Sequence, residues 1–249
     1  MKTAICIKRT PDTEARIRVA GDGGSIDESG LKFVVSPYDE FAVEAALRLK
    51  EARGEGETVS VSRGDGAVAE QLRATLAMGV DRAIRLDGKG SMDGLSVAKA
   101  LAAELKALGP DLVLCGMKAA DDDQHQVGPM VAELLGMPCV TVVSELSMEG
   151  DTLVCHREIE GGTEVVEVSL PAVVTVTKGP HEPRYPSLKG IMAAKKKPLE
   201  EKPADVAESR VKVRKYSEPP ARPEGKVVGE GAEAVPELVR LLRDEAKVL

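Results

Sequence analysis

The chain alternates between strand-like and helix-like segments along its first 136 residues. Short aliphatic runs, typical of strands, are each followed by a longer stretch in which apolar residues recur every three or four positions, typical of helices. Strands are predicted at 3–8, 58–62, 81–86 and 111–116, and helices at 38–52, 68–79, 91–110 and 124–136. This alternation predicts an α/β fold with a mostly parallel sheet and helices on both of its faces.

The pattern changes after residue 139. Between 139 and 177 the helical periodicity is absent, and β-branched residues cluster or alternate at 165–169 and 172–177. Such runs are typical of strands joined by short turns. We therefore expect antiparallel strands to extend one edge of the sheet.

The composition shifts again near residue 195. Residues 196–249 are rich in proline, glycine and charge, and they end in an amphipathic helix that presents Leu238, Leu241 and Leu242. The tail contains nothing that could bury this apolar face. We therefore divide the chain into an α/β domain over 1–195 and a C-terminal arm that docks on a partner or back across the body.

A proline-rich segment lies between the last predicted strand and this tail. It reads GPHEPRYPSLKG over 179–190, with three prolines within seven residues. Proline fixes φ and removes a backbone donor, so the segment is predicted to be neither helix nor central strand but a stiff, exposed loop. Leu188 is its aliphatic residue, with Lys189 beside it and a basic run at 195–197. These features predict an anchor for a partner's pocket; the alternative is a loop folded back on its own domain.

Charge and composition exclude several classes of function. The net charge is −7, and the chain has no Trp, three Tyr and two Phe. An acidic chain with few rings is unsuited to general nucleic-acid binding. No apolar run approaches the roughly 20 residues of a membrane span, and the N-terminus is too short for a signal peptide. We expect a bacterial cytoplasmic protein without membrane insertion.

The cysteines and histidines do not form a metal-binding pattern. The four cysteines include no CxxC pair, and the three histidines are isolated. Cys6 and Cys115 lie in strand-like runs and are predicted to be core thiols. We predict no metal site and no catalytic residue, although His125 lies near the candidate ligand loop described next.

The loop that follows the strand at 111–116 is the first candidate for a ligand site. Open α/β sheets bind ligands beyond the carboxyl ends of their strands, where the strand order reverses. Asp123 is predicted to cap the next helix, and free N–H groups at 124–127 to hold a phosphate. One of the neighbouring aspartates would bind ribose hydroxyls; the alternative is a solvated acidic turn.

Several enzyme motifs do not occur. The first strand is not followed by GxGxxG, and the chain has no GxxxxGK[ST], GxSxG or HExxH motif. These absences disfavour a standard dinucleotide site, a P-loop and the common hydrolases. The sequence therefore favours a carrier or binding subunit over an enzyme.

A set of motifs, in one order, resembles the beta subunit of electron transfer flavoprotein. The set comprises CIKRTPDTEARIRV, EFAVEAALRLKE, LRATLAMGVDRAI, DLVLCGMKAADDDQHQVG and the stretch from EIEGG through LPAVVT to EPRYPSLKGIMAAKKKP. The resemblance covers about residues 1–200. It implies a Rossmann-like, adenine-nucleotide-binding fold and a heterodimer in which a larger alpha subunit holds most of a redox-active FAD.

The resemblance also implies two groups of functional residues. A structural AMP would be contacted by Cys6, Ser36, Pro37, Tyr38, Asp39, Arg63, Gly116, Ala119, Ala120, Asp121, Asp122, Asp123, Gln124, His125, Gln126 and Val127. A recognition arm that docks on acyl-CoA dehydrogenases and related flavoenzymes would comprise Pro183, Arg184, Tyr185, Pro186, Ser187, Leu188, Lys189, Gly190, Ile191 and Met192. Leu188 would be the anchoring side chain of this arm.

Some positions depart from the family pattern. Arg63 stands where a small residue or Cys is common, and Val127 lacks a hydroxyl that could reach phosphate. Pro129 resembles the electron-bifurcating branch, whose beta subunits bind a second FAD in place of AMP. Bifurcating members carry Asp-Gly-Asp where this chain has Asp122 between two aspartates, which favours AMP.

The expected function is that of an electron carrier in pathways such as fatty acid oxidation. Electrons would pass from an acyl-CoA or related dehydrogenase to the alpha-subunit FAD, and from there to a quinone oxidoreductase. Two alternatives stay open. One is a bifurcating carrier with a second FAD in this chain, and the other is a stand-alone adenine-nucleotide-binding protein.

Overall fold

A nine-stranded sheet forms the centre of the protein in the computed structural model, which describes residues 1–88, 93–204, 208–222 and 224–249. The strands are β1 (Lys2–Cys6), β2 (Arg9–Pro11), β3 (Phe33–Val35), β4 (Glu57–Gly64), β5 (Arg82–Asp87), β6 (Leu112–Gly116), β7 (Cys139–Glu149), β8 (Thr152–Ile159), β9 (Gly162–Ser169), β10 (Ala172–Val176) and β11 (Leu199–Pro203). The short strands β2 and β3 pair with each other outside the sheet.

The strand order confirms the predicted α/β fold. Across the sheet the order is β11-β5-β4-β1-β6-β10-β7-β8-β9. The strands from β11 to β7 run parallel, whereas β8 and β9 pair antiparallel beyond β7. The antiparallel extension of one edge, expected from residues 139–177, is thus present.

Helices cover both faces of the sheet. They are α1 (Pro37–Arg53), α2 (Val68–Met78), α3 (Gly94–Leu108) and α4 (Val127–Leu135). Successive strand residues point to opposite faces. Ile5 of β1 accordingly packs in one core with α1 and α2, and Cys6 packs in the other with α3 and α4. Because both faces are buried, the central strands are nearly continuous aliphatic runs.

The residues at the two ends of α1 explain where this helix begins and ends. Pro37 stands in the first turn, where its missing N–H is not needed, and Asp39 and Glu40 follow. Their carboxylates suit the positive end of the helix dipole. Gly54 ends the helix with φ of 73°, a left-handed conformation that favours glycine.

Two predicted helices are longer than the observed ones. The helix predicted over 91–110 is observed over Gly94–Leu108, and its first two predicted residues lie outside the described part of the chain. The helix predicted from 124 begins only at Val127. The residues ahead of Val127 adopt a different conformation, described with the site below.

The strand β11 was not predicted. It pairs in parallel with β5 and completes the sheet on the side opposite the antiparallel extension. The division placed after residue 195 therefore falls just before a strand of the sheet. Beyond it the tail is exposed, with local ties such as the hydrogen bond from Tyr216 N to Gly23 O at 2.8 Å.

The predicted C-terminal helix is present as α6 (Val235–Asp244). None of its residues is buried, and Leu238 is 42% exposed. The helix packs against the 3-10 turn at Ala232–Ala234 that precedes it. Its apolar face is thus left open, which fits the expectation that the tail does not supply its own core.

The prediction that the proline-rich segment contains no helix was wrong at its end. A short helix, α5 (Leu188–Ala194), begins two residues after the last proline. Ser187 caps it by accepting a hydrogen bond from Gly190 N at 3.0 Å. Because no proline follows until position 198, a short helix can form once this serine provides a cap, despite Gly190 within it.

We expect Leu76→Ala and Leu238→Ala to differ sharply in their effects on folding. Leu76 is fully buried between α2 and the sheet, so its truncation should lower the free energy of unfolding by about 2–5 kcal/mol. Leu238 is exposed on α6, and its truncation should change that free energy by less than about 0.5 kcal/mol. Urea unfolding of the isolated chain would measure both, and comparable losses would show that α6 packs on the body.

Candidate functional site

The strand order reverses beside β1. From β1 the chain moves outward to β4 and β5, and then crosses back to β6 on the other side of β1. In sheets of this kind a crevice opens at the carboxyl ends of the two strands that flank the reversal. The predicted ligand loop follows β6, so it lies at this crevice.

Asp39 joins the three segments that meet there. One of its carboxylate oxygens accepts a hydrogen bond from Lys8 N at 2.7 Å, and the other accepts one from Gly116 N at 3.0 Å. Asp39 thereby ties the first turn of α1 to the ends of β1 and β6. Burial raises the pKa of Asp39 to about 7, against the opposing effect of these two hydrogen bonds.

The residues around Asp39 leave no room for a side chain on Gly116. A β-carbon at this position would overlap the Asp39 carboxylate and lie 2.8 Å from the backbone of Tyr38. Ser36 is buried behind this contact, and its backbone accepts the Asp39 N–H at 2.8 Å. The predicted contacts at 36–39 and at 116 are thus brought together.

The three consecutive aspartates are paired with lysines. Lys8 Nζ lies 2.6 Å from Asp121 and 2.8 Å from Asp122. Lys118 Nζ lies 3.0 Å from Asp123, close to the ring of Tyr38. Because these ammonium groups offset most of the acidic charge, the loop repels an anion less than its sequence suggests.

Asp123 does not cap α4, contrary to the prediction. It has φ of 50° and His125 has φ of 56°, and these left-handed conformations interrupt the helix. The helix starts at Val127, with Gln126 at the cap position and no capping hydrogen bond from its side chain. The Gln124 N–H, predicted to be free for phosphate, faces the Asp122 side chain at 3.4 Å.

The start of α3 also faces the ligand loop. A β-carbon on Gly94 would lie 3.3 Å from the side-chain oxygen of Gln124 and 3.6 Å from that of Gln126. At the base of α4, a β-carbon on Gly128 would overlap the methyl group of Thr175. These glycines let helices α3 and α4 approach the crevice closely.

Two further predicted residues lie at neighbouring strand ends. Cys6 is in register with Cys115 across β1 and β6, and both thiols are buried, as predicted for core cysteines. Arg63 lies near the end of β4, where its guanidinium faces Gly88. Burial lowers the pKa of Arg63. The crevice is thus flanked by Arg63 on one side and the aspartate loop on the other.

Sequence reasoning missed three residues of this region: Lys8, Gly88 and Gly94. Lys8 had a usable signal, since it lies two residues beyond β1 and the ends of parallel strands meet at one edge. The position of Gly94 depends on how α3 packs against a loop 30 residues away. No local pattern reports such a contact.

The second predicted site, the arm over 183–192, presents exposed apolar side chains. Tyr185 is 96% exposed and Leu188 is 84% exposed, with Ile191 and Met192 also open. Contiguous exposed apolar groups are typical of interaction sites. Leu188 is not folded back on its own domain, and it lies in the first turn of α5 rather than in a loop.

The cations around Leu188 are fewer than the sequence suggests. Arg184 faces α1, where it pairs with two glutamates. Lys197 donates hydrogen bonds to the carbonyl oxygens of Leu76 and Val80, at 3.0 and 2.6 Å. Lys189 and the first two lysines of the basic run at 195–197 remain exposed.

An unpredicted cavity of about 480 Å³ lies along α1, beside β7. Its apolar lining includes Phe41, Ala45, Leu49, Leu146 and Met148. None of the residues predicted to contact a nucleotide lines it. The cavity is therefore separate from the crevice at the strand ends.

Two further kinds of site are absent from the part of the chain that the structure describes. Within residues 1–88, 93–204, 208–222 and 224–249, no helix is long and apolar enough to cross a membrane. The same part of the chain contains no group of three or more His, Cys, Asp or Glu residues placed to hold a metal ion.

Comparison with known proteins identifies similar chains. The family model described as electron transfer flavoprotein domain matches residues 23–207. An electron transfer flavoprotein subunit beta from Syntrophomonas wolfei is 42% identical over 249 residues, which cover 100% of this chain and 98% of the relative. Proteins of that name from Bacillus subtilis and Homo sapiens are 40% and 38% identical, and the alignments cover 100% of this chain and 100% and 99% of the relatives.

We expect Asp39→Asn to remove a pH-dependent part of the folding stability. The pKa of Asp39 is raised from 3.8 to about 7, so the folded protein keeps this proton at pH values where the unfolded chain releases it. The contribution of Asp39 to the free energy of unfolding is therefore complete below about pH 4 and is lost as the pH rises through about 7.

Urea unfolding of the wild type and of Asp39→Asn between about pH 4 and about pH 8 checks this expectation. The free energy of unfolding of the wild type should exceed that of Asp39→Asn by an amount that shrinks as the pH rises towards 7 and then levels off. An advantage that is constant over the whole range would contradict the raised pKa.

Proposed function

The chain belongs to the electron transfer flavoprotein beta subunits, and from this premise we propose that it is one half of a heterodimeric electron carrier. The observation that carries the proposal is similarity along the entire chain to proteins named subunit beta. The other half would be the alpha subunit, which would hold most of the redox-active FAD. By itself this chain would be a carrier subunit and not an enzyme.

We propose that the crevice at the ends of β1 and β6 binds AMP as a structural nucleotide. The residues present suit such a ligand. Gly116 lets the Asp39 carboxylate close on the end of β6, and Gly94 lets α3 approach the loop. Lys8 and Arg63 would supply positive charge for a phosphate, and Asp121 an acceptor for ribose hydroxyls. A bound AMP would contribute binding energy and no redox chemistry.

A second FAD at the same place is the competing assignment. Pro129, in the first turn of α4, supports it through the resemblance to bifurcating members. Asp122 opposes it, since those members carry glycine at the middle of the acidic triplet. AMP is therefore the assignment that we propose.

The exposed arm over 183–192 would dock the electron donor. An apolar side chain that is almost fully open, such as Leu188, suits insertion into a pocket of another protein. We propose that the donor is an acyl-CoA or related dehydrogenase, as in fatty acid oxidation. Electrons would then pass through the alpha-subunit FAD to a quinone oxidoreductase.

Leu188→Ala should slow electron transfer from the dehydrogenase without changing the flavin content of the heterodimer. Burying this side chain on docking is worth about 2 kcal/mol, so its loss should weaken the complex about thirtyfold. Steady-state reduction of the heterodimer at varied dehydrogenase concentration would measure the effect. Ile159→Ala, which truncates an exposed side chain on β8, is the control. Normal kinetics in Leu188→Ala would exclude Leu188 as the anchor.

Analysis of the bound nucleotides tests the proposed cofactors. The heterodimer, purified from its source and then denatured, should release one AMP and one FAD on chromatography. Release of two FAD and no AMP would replace the proposal with a bifurcating carrier. If the chain purifies from its source without an alpha subunit and binds ATP by itself, it would instead be a stand-alone nucleotide-binding protein.

A further inference from the structure

The arm over 183–192 follows a stretch of chain with no regular secondary structure. Residues 177–187, between β10 and α5, form neither helix nor strand. No ladder of backbone hydrogen bonds therefore fixes the place where the arm begins. Its position depends on individual contacts with the body of the protein.

Arg184 makes the strongest of these contacts. Its Nε donates to one carboxylate oxygen of Glu44 at 2.7 Å, and its Nη2 donates to the other at 3.0 Å. Its Nη1 and Nη2 also donate to the two carboxylate oxygens of Glu51, at 2.5 and 3.0 Å. The backbone N–H of Arg184 adds a further hydrogen bond to Glu44 at 3.1 Å. The guanidinium thus spans two carboxylates on α1.

The spacing on α1 suits this arrangement. Glu44 and Glu51 are two helical turns apart, so both carboxylates lie on one side of the helix. Glu44 is only 4% exposed. Burial by itself would raise the pKa of Glu44, but the hydrogen bonds and charge of Arg184 lower it overall. The carboxylate is therefore ionised at neutral pH, and Arg184 is its hydrogen-bonded charge partner, since Arg48 approaches it only to 3.9 Å.

The other end of the arm is fixed to α2. Arg73 donates to the carbonyl oxygens of Ala194 and Lys197, at 2.6 and 2.7 Å. Helix α5 also approaches α2 closely, since a β-carbon on Gly190 would lie 2.5 Å from the Ala77 carbonyl oxygen. The exposed apolar side chains lie between these contacts and Arg184.

We propose that Arg184 is a positioning residue for partner docking, whose clamp on Glu44 and Glu51 holds the arm in its docking conformation before the partner arrives. This inference rests on the proposed function. Ordering a flexible segment on binding reduces affinity, and a segment that is already ordered avoids that cost. Arg184 acts through the arm, since its guanidinium is turned away from the apolar side chains and towards α1.

Arg184→Lys tests the clamp, because lysine keeps the positive charge but cannot bridge two carboxylates with a planar fork. The variant is made in the full heterodimer and assayed with the reduced dehydrogenase as the varied substrate. We expect KM to rise about three- to tenfold while kcat and the FAD content stay unchanged. Amide hydrogen exchange over 183–192 should be faster than in the wild type.

Arg85→Lys is the matched control. Arg85 also bridges two carboxylates, those of Asp87 and Glu201 at 2.6 and 2.8 Å, but it lies on β5 and touches no residue of the arm. Its replacement should leave KM and exchange over 183–192 unchanged. A double variant, Arg184→Gln with Glu44→Gln, removes the unpaired buried charge and should still raise KM if the clamp is lost.

Three results would overturn the proposal. They are an unchanged KM in Arg184→Lys, an unchanged exchange rate over the arm, and a loss of kcat or FAD with no rise in KM. Comparison with Leu188→Ala distinguishes a failure of the Arg184 clamp from a failure of the docking role of the arm. If Leu188→Ala raises KM and Arg184→Lys does not, only the clamp inference fails. If neither variant raises KM, the arm is not the docking surface, and the docking role proposed for it fails together with the clamp.

Discussion

The candidate site depends on the hydrogen bonds that the buried carboxylate of Asp39 accepts. This carboxylate accepts N–H groups from the chain just beyond β1 and from the end of β6, the two strands that flank the reversal of strand order. Parallel strands diverge into separate loops at their ends, so something must hold those loops together. A single carboxylate from the first turn of α1 does so. The close approach requires Gly116, because any side chain there would displace Asp39.

Most of the sheet could be predicted because its strands are buried on both faces. A doubly buried strand such as β6 must be a continuous aliphatic run, and such runs are visible in the sequence. The edge strand β11 reads LEEKP, and it was missed because an edge strand joins the sheet mainly through its backbone. Helix α5 was missed for a different reason. Its short length and the preceding prolines masked the local signal of Ser187.

The location of the site was predictable, but its internal geometry was not. The rule that ligands bind where strand order reverses identified the loop after β6. The pairing of Lys8 with Asp121 and Asp122 joins residues more than a hundred positions apart, so no local pattern could show that the acidic loop is largely neutralised. Asp123 resembled a helix cap because of its residue type. In the structure its backbone is left-handed, and its carboxylate pairs with Lys118 instead of capping α4.

Helix α1 connects the two functional regions of the chain. Asp39 in its first turn shapes the crevice, and Glu51 near its other end holds Arg184 of the arm. Glu51 lies twelve positions after Asp39, which corresponds to about 18 Å of straight helix. Because α1 packs in the core along its length, under the proposed function a ligand that stabilised its first turn would also support the arm. The proposed structural nucleotide would then contribute to the proposed docking role without contacting the arm.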